Sequence, residues 1–230
     1  MDNTEERAKE WVKRNKKLII EKFANLSDFP PVDNPFTMFM AGSPGAGKTE
    51  FSKTFIKDYP GGVKIVRIDA DEIRSMIPDY TEGKAYKVQG AASLGVEKIF
   101  DFIQDHSQNC ILDGTFADFN IAKKDVERAL NKGRKVGIMY IYQDPKVAWD
   151  FTQKREKLEG RRVSKEIFIK CFFDARENVM KIKGLYPQIE LNLAIKDFEN
   201  KLQKSHFNIQ LLDPYIKMGY TVDELQNLLI

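Results

Sequence analysis

Cysteine is scarce in this chain: Cys110 and Cys171 are the two among 230 residues. One ends a polar segment before an apolar run and the other lies within a helical pattern. Neither a disulfide framework nor a zinc cluster is supported, and both read as small buried hydrophobes. Long apolar runs are also missing. None approaches the roughly 20 residues of a membrane helix, and the opening Met1-Asp2-Asn3-Thr4-Glu5-Glu6 has no apolar signal region. A cytoplasmic protein without a membrane partner is expected. Charge of one sign is lacking too: 37 Lys and Arg against 34 Asp and Glu leave a net +3, too weak to argue for a nucleic-acid partner. No internal repeat or low-complexity tract occurs. What remains, 42% hydrophobic and 31% charged residues, is ordinary globular composition with length enough for a single α/β domain.

Residues 42–49 read Gly42-Ser43-Pro44-Gly45-Ala46-Gly47-Lys48-Thr49, a complete GxxxxGK[ST] phosphate-binding loop. At average residue usage the pattern arises by accident in about one in a hundred chains of this length. Before it, Phe36-Thr37-Met38-Phe39-Met40-Ala41 reads as a buried parallel strand. After it, Phe51, Phe55 and Ile56 fall at helical spacing until Pro60-Gly61-Gly62 ends the run. Strand, loop and helix are the context in which the motif functions. Its glycines let successive N–H groups face phosphate oxygens at a helix N-terminus. Lys48 is placed for the β- and γ-phosphates of ATP, and the Thr49 hydroxyl for Mg²⁺.

Residues 5–25 set Trp11, Val12, Leu18, Ile19 and Phe23 on one face of an amphipathic helix. It can pack on the domain's flank, meet a membrane surface or partner, or fold over the nucleotide site as an internal inhibitor. An extended connector from Phe29 to Pro35 follows. Val63–Ile68 predicts a second strand ending at Asp69-Ala70-Asp71, residues 84–106 a long helix, Cys110–Asp113 a third strand, residues 119–132 a crossover helix closed by Gly133, and Arg134–Gln143 a further strand. Residues 145–183 are helical and basic, broken at Gly160-Arg161-Arg162-Val163-Ser164. Residues 188–204 are expected to be helical, Phe207–Leu212 a last strand, and Thr221-Val222-Asp223-Glu224 a capping box. The alternation implies right-handed βαβ units. The expected fold is therefore α/β, a three-layer P-loop NTPase fold with a parallel sheet flanked by helices, a helical lid and extra terminal helices. One domain divides into an N-terminal helix and connector (1–35), a core that carries the phosphate loop (36–180) and C-terminal helices with a possible strand (181–230).

Ligands of open parallel sheets bind beyond the carboxyl ends of strands, and three such ends carry chemistry here. Asp113, closing Ile111-Leu112-Asp113, has the Walker-B arrangement that orients Mg²⁺ with the loop hydroxyl; alone it would equally suit a solvated turn. Asp71, just past its strand, can accept a proton from a bound hydroxyl or cap the following helix. Arg155, Arg161 and Arg162 lie in a stretch able to cover the site and neutralise a transferring phosphoryl group, although basic runs also serve as solvated helix faces.

These blocks together resemble the zeta toxin family of P-loop kinases: the loop through Ser52, Ile68-Asp69-Ala70-Asp71-Glu72-Ile73-Arg74, Ile111-Leu112-Asp113-Gly114-Thr115-Phe116, then Arg155 with Gly160-Arg161-Arg162-Val163-Ser164. The resemblance covers about residues 36–180. It implies phosphorylation of a nucleotide sugar, UDP-N-acetylglucosamine, at the amino-sugar 3′-hydroxyl. Lys48 and Thr49 would bind ATP-Mg, Asp71 would be the general base, Arg155 and Arg162 would stabilise the transferred phosphoryl, and Glu97 and Thr115 would line the sugar site. An antitoxin partner blocking the nucleotide site is implied as well. The chain departs from the best-known branch at Ala117, where that branch has Arg, and at Asp113, where it has Glu. Both departures bear on the acceptor. A P-loop kinase for another hydroxyl, or an ATP-dependent switch, are the alternative readings.

Overall fold

The computed structural model describes residues 3–81, 83–159, 162–199, 201–217 and 219–229. In chain order the elements are α1 (Thr4–Arg14), α2 (Lys16–Ala24), β1 (Phe36–Ala41), α3 (Lys48–Asp58), β2 (Val66–Asp69), α4 (Ala70–Arg74), α5 (Gln89–Asp105), β3 (Cys110–Asp113), α6 (Phe119–Asn131), β4 (Lys135–Tyr142), α7 (Pro145–Glu159), α8 (Lys165–Leu185), β5 (Glu190–Lys196), β6 (Leu202–His206) and α9 (Val222–Leu228). The strands form one sheet in the order β2-β3-β1-β4-β5-β6. All neighbours are parallel except β5 and β6.

Strand β1 is apolar except for Thr37, whose buried hydroxyl accepts from Arg134 Nε at 2.7 Å, because both of its faces are covered. Phe39 and Ala41 join the large core shared with α1, α2, α5, α6 and α8, whereas Met38 and Met40 join the opposite core, against which Phe51, Phe55 and Ile56 of α3 pack. Helices on both sides make the three-layer arrangement expected for parallel strands. A third cluster, Trp149, Phe168, Phe172 and Leu225, ties α7 and α8 to α9. Gly133, at φ 68°, stops α6 as expected, and Thr221 with Glu224 forms the full capping box.

Four expectations are corrected. Residues 5–25 make two helices, not one, divided at Asn15 (φ −102°, ψ 19°), whose side chain donates to Trp11 O at 2.8 Å and competes with helix continuation. Both pack on α5 with Ala8, Val12, Ile19 and Ala24 fully buried, while Leu18 turns outward, 54% exposed. Second, where residues 188–204 are expected to be helical, strand β5 and most of β6 lie instead. Leu191 and Leu193 alternate at strand period, and pairing with β4 (Ile138↔Leu191, Tyr140↔Leu193) decides the outcome. Third, the last strand precedes Phe207 instead of following it: Asn208 turns at φ 48°, and its N–H is held by Asn192 Oδ1 at 2.9 Å. Fourth, the second strand begins at Val66, and the long helix at Gln89 after a 3₁₀ turn over residues 85–88.

Since Ile19 is wholly buried in the core where α2 packs on α5, Ile19→Ala is expected to cost about 2–5 kcal/mol of stability. Urea titration should show a lower midpoint at unchanged slope.

Candidate functional site

The phosphate loop leaves the end of β1 at the centre of the sheet. Gly42 adopts φ 138°, and a β-carbon there would fall 2.4 Å from Ile141 O. Gly45, at φ 73°, faces α7 so closely that a β-carbon would fall 2.0 Å from Ala148 O. Gly47, at φ 82°, is the N-cap of α3. These conformations are open to glycine and strained for other residues. Within the loop, Ser43 and Ala46 are buried. Lys48 is only 9% exposed, and its Nζ donates to Gly42 O at 3.0 Å and Ser43 O at 2.6 Å.

Above the loop lies a cavity of about 300 Å³, with Pro44, Gly45, Lys48, Thr49, Asp71, Asp113, Thr115 and Arg155 in its walls. The structure thus brings together the loop, strand-end acids and Arg155, which the sequence scatters over more than a hundred positions, and Arg74 joins them in the cavity wall. Arg162 stands apart: its side chain is 79% exposed, and its Nε lies 3.9 Å from Glu156. Arg161 lies outside the described residues.

Asp69, not Asp71, caps α4. Its Oδ1 accepts the Asp71 N–H at 2.8 Å, because the chain turns helical at Ala70, two residues earlier than an Asp71 cap requires. Asp71 therefore sits in the first turn with its carboxylate toward the cavity, where Arg74 donates to Oδ1 at 2.5 Å. Arg74 is itself buried and also donates to Gln89 at 2.6 Å.

Sequence reasoning passed over Arg67. Its guanidinium donates to Asp69 Oδ2 at 2.8 Å and Asp113 Oδ2 at 2.6 Å, and also holds Glu72. Burial pulls the Arg67 pKa down, but the hydrogen bond and charge of Asp69, with the charges of Asp113 and Glu72, outweigh it and raise it overall. Asp113 Oδ2 also accepts Ser52 Oγ at 2.9 Å. An arginine inside an apolar strand that ends in acids was the available signal.

A second cavity, of about 350 Å³, adjoins the first along Ala70, Asp113, Gly114 and Thr115. Its walls are mainly apolar: Phe39, Met40, Val96, Leu112, Phe116 and Ile121. Glu97 lies here and not beside the phosphate loop. It accepts Lys124 Nζ at 2.6 Å, and this bond, with the charges of Lys124 and its basic neighbours, holds its pKa below the ordinary value against the opposing effect of burial. Ala117 lines the same cavity. Among the described residues, no cluster of three or more His, Cys, Asp or Glu is placed to hold a metal without further ligands, and no helix is long and apolar enough to cross a membrane.

A GxxxxGK[ST] loop joining the central strand of a parallel β2-β3-β1-β4-β5 order to a helix N-terminus, with acids at the neighbouring strand ends, defines a P-loop α/β protein. The model of the zeta toxin family matches residues 20–208, and the chain belongs to that family. It is 28% identical over 123 residues to toxin PezT of Streptococcus pneumoniae serotype 4; the match spans 50% of this chain and 47% of that toxin. In three dimensions it is similar to a structure of the PezAT chromosomal toxin–antitoxin system of S. pneumoniae (TM-score 0.64, 21% identity, 100% of this chain and 88% of that one). It also resembles the AvrRxo1-ORF1:AvrRxo1-ORF2 complex with ATP (TM-score 0.62, 14% identity, 93% and 74% of the two chains). At such identities these likenesses speak to the fold.

Proposed function

We propose that the protein is an ATP-dependent kinase that phosphorylates a small-molecule hydroxyl, the 3′-hydroxyl of the amino sugar of UDP-N-acetylglucosamine. The observation that carries this is the meeting of two cavities along Asp113-Gly114-Thr115, one above the phosphate loop and one beside it, with Asp71 next to their shared wall. A P-loop switch needs only the first. ATP would occupy the loop, and Lys48 would exchange its carbonyl partners for phosphate oxygens. Thr49 and Asp113 are hard oxygen donors facing the same space, a set that suits Mg²⁺ completed by substrate phosphates. Bound Mg²⁺ would offset the charge on the phosphates. Asp71 would take the acceptor's proton. Arg155, with Arg162 as the second arginine of the family pattern, would offset charge on the transferring phosphoryl. Thr115 and Glu97 would contact the acceptor. The toxin–antitoxin relative supports an antitoxin partner, and in this reading that partner would block the nucleotide site.

Incubation with ATP and UDP-N-acetylglucosamine should yield, by mass spectrometry, a sugar nucleotide carrying one added phosphate on the amino sugar. ATP consumption with other alcohols but not with this one would overturn the substrate and keep the kinase. Ala117 and the apolar walls favour that second reading, since Lys124, the one cation among the residues lining the second cavity, is already paired with Glu97.

A further inference from the structure

We infer that Arg67 is a positioning residue that fixes the base-bearing turn of α4 relative to the phosphate-loop helix α3, an assignment that rests on the kinase reading. The connection is continuous. Ser52 Oγ of α3 donates to Asp113 Oδ2 at the end of β3. Arg67 NH1 donates to that same oxygen and to Asp69 Oδ2 at the end of β2. The other oxygen of Asp69 accepts the backbone N–H of Asp71 itself. One guanidinium therefore joins the helix that presents Lys48 and Thr49 to the residue placed to accept the acceptor's proton. Its NH2 also holds Glu72, the next residue of α4.

Burial makes this connection stiff. The side chains of Arg67 and Asp113 are 9% and 3% exposed, so solvent does not readily replace either partner. Removing the cation would leave two carboxylates facing one another across the space it occupied, and like charges so placed separate. Asp69 would turn, and the cap that sets Asp71 would turn with it. Lysine cannot substitute fully, because its single nitrogen could bridge Asp69 and Asp113 as NH1 does but has no second planar arm to hold Glu72 as NH2 does. Neither Lys48 nor the loop N–H groups depend on Arg67, so nucleotide binding is separable from the placement of Asp71.

The test is a double-mutant cycle with Arg67→Gln, Arg67→Lys, Asp71→Asn and the Arg67→Gln/Asp71→Asn pair, read by steady-state kinetics and by metal-free binding of a fluorescent ATP analogue. Arg67→Gln is expected to lower kcat about a hundredfold, the cost of a misplacement near 1 Å, with metal-free nucleotide affinity within about twofold. Arg67→Lys should recover about tenfold or less of that loss. Once Asp71 is Asn, removing Arg67 should cost no more than about a further twofold. Should Arg67→Gln melt below the assay temperature, Asp69→Asn reads the same link, since Asn still caps α4 but cannot pair with the guanidinium as a carboxylate. It should show the same non-additivity with Asp71→Asn. Additive losses, or nucleotide affinity falling in step with kcat, would overturn the assignment while leaving an active kinase. Wild-type protein that phosphorylates no acceptor would overturn the kinase reading and this assignment with it.

Discussion

Asp71→Asn is expected to slow phosphoryl transfer by about 10²–10⁴-fold, the range over which a positioned base acts, while nucleotide affinity stays within about twofold. The exchange is nearly isosteric. It leaves the backbone N–H that Asp69 caps untouched, and an amide oxygen can still accept from Arg74. What it removes is the capacity to take up a proton at that point in the cavity wall. Acceptor phosphorylation followed by mass spectrometry and nucleotide binding followed by fluorescence separate the two effects. A variant that transfers phosphate at the wild-type rate would remove Asp71 from the chemistry and leave it a member of the α4 first turn alone.

The second large effect is expected at Lys48. Lys48→Ala should cut transfer by about 10²–10³-fold, as does loss of a preorganised donor to a charge-developing oxygen, and should also weaken ATP binding. The buried ammonium rests on the Gly42 and Ser43 carbonyls. It is thus stored, desolvated and partnered, within reach of the phosphate position before any ligand arrives. Truncation takes the ammonium partner from those two carbonyls, and an unsatisfied buried acceptor costs about 1–3 kcal/mol. Thermal melting without nucleotide should therefore fall as well. Arg in place of Lys would not restore function, since a planar guanidinium does not fit a space built for a compact ammonium. Full transfer by Lys48→Ala would defeat the placement of ATP on this loop.

Local chemistry made much of this legible. Phe36–Ala41, the phosphate loop and the Thr221 cap each carry their signal within a few residues, and each forms as read. Residues 188–204 fit either period: Ile189, Leu191, Leu193 and Ile195 alternate as in a strand, while Leu191, Ala194, Ile195 and Phe198 fall at helical spacing. Pairing with β4, far off in sequence, decides between them. The site shows the same division. Lys48, Thr49, Asp71 and Asp113 announce themselves by motif. Arg67 does not, because its role exists only once β2 and β3 align Asp69 with Asp113. Nor does spacing tell that Glu97 opens onto a second cavity, or that Arg162 points to Glu156.

The strand order also governs when the loop can exist during synthesis. Both neighbours of β1 come from much later in the chain: Thr37 pairs with Cys110, 73 residues on, and 98 residues separate Phe36 from Arg134 at the foot of β4. Gly42 closes against the backbone of Ile141, and its N–H is held by Thr115 O. At about 5–20 residues per second of elongation, the motif leaves the ribosome seconds before the strands that shape it. Nascent chains that stop short of β4 lack the walls against which the loop curls. Acquisition of nucleotide binding is thus a late event in biogenesis, coincident with closure of the sheet's centre and not with emergence of the motif.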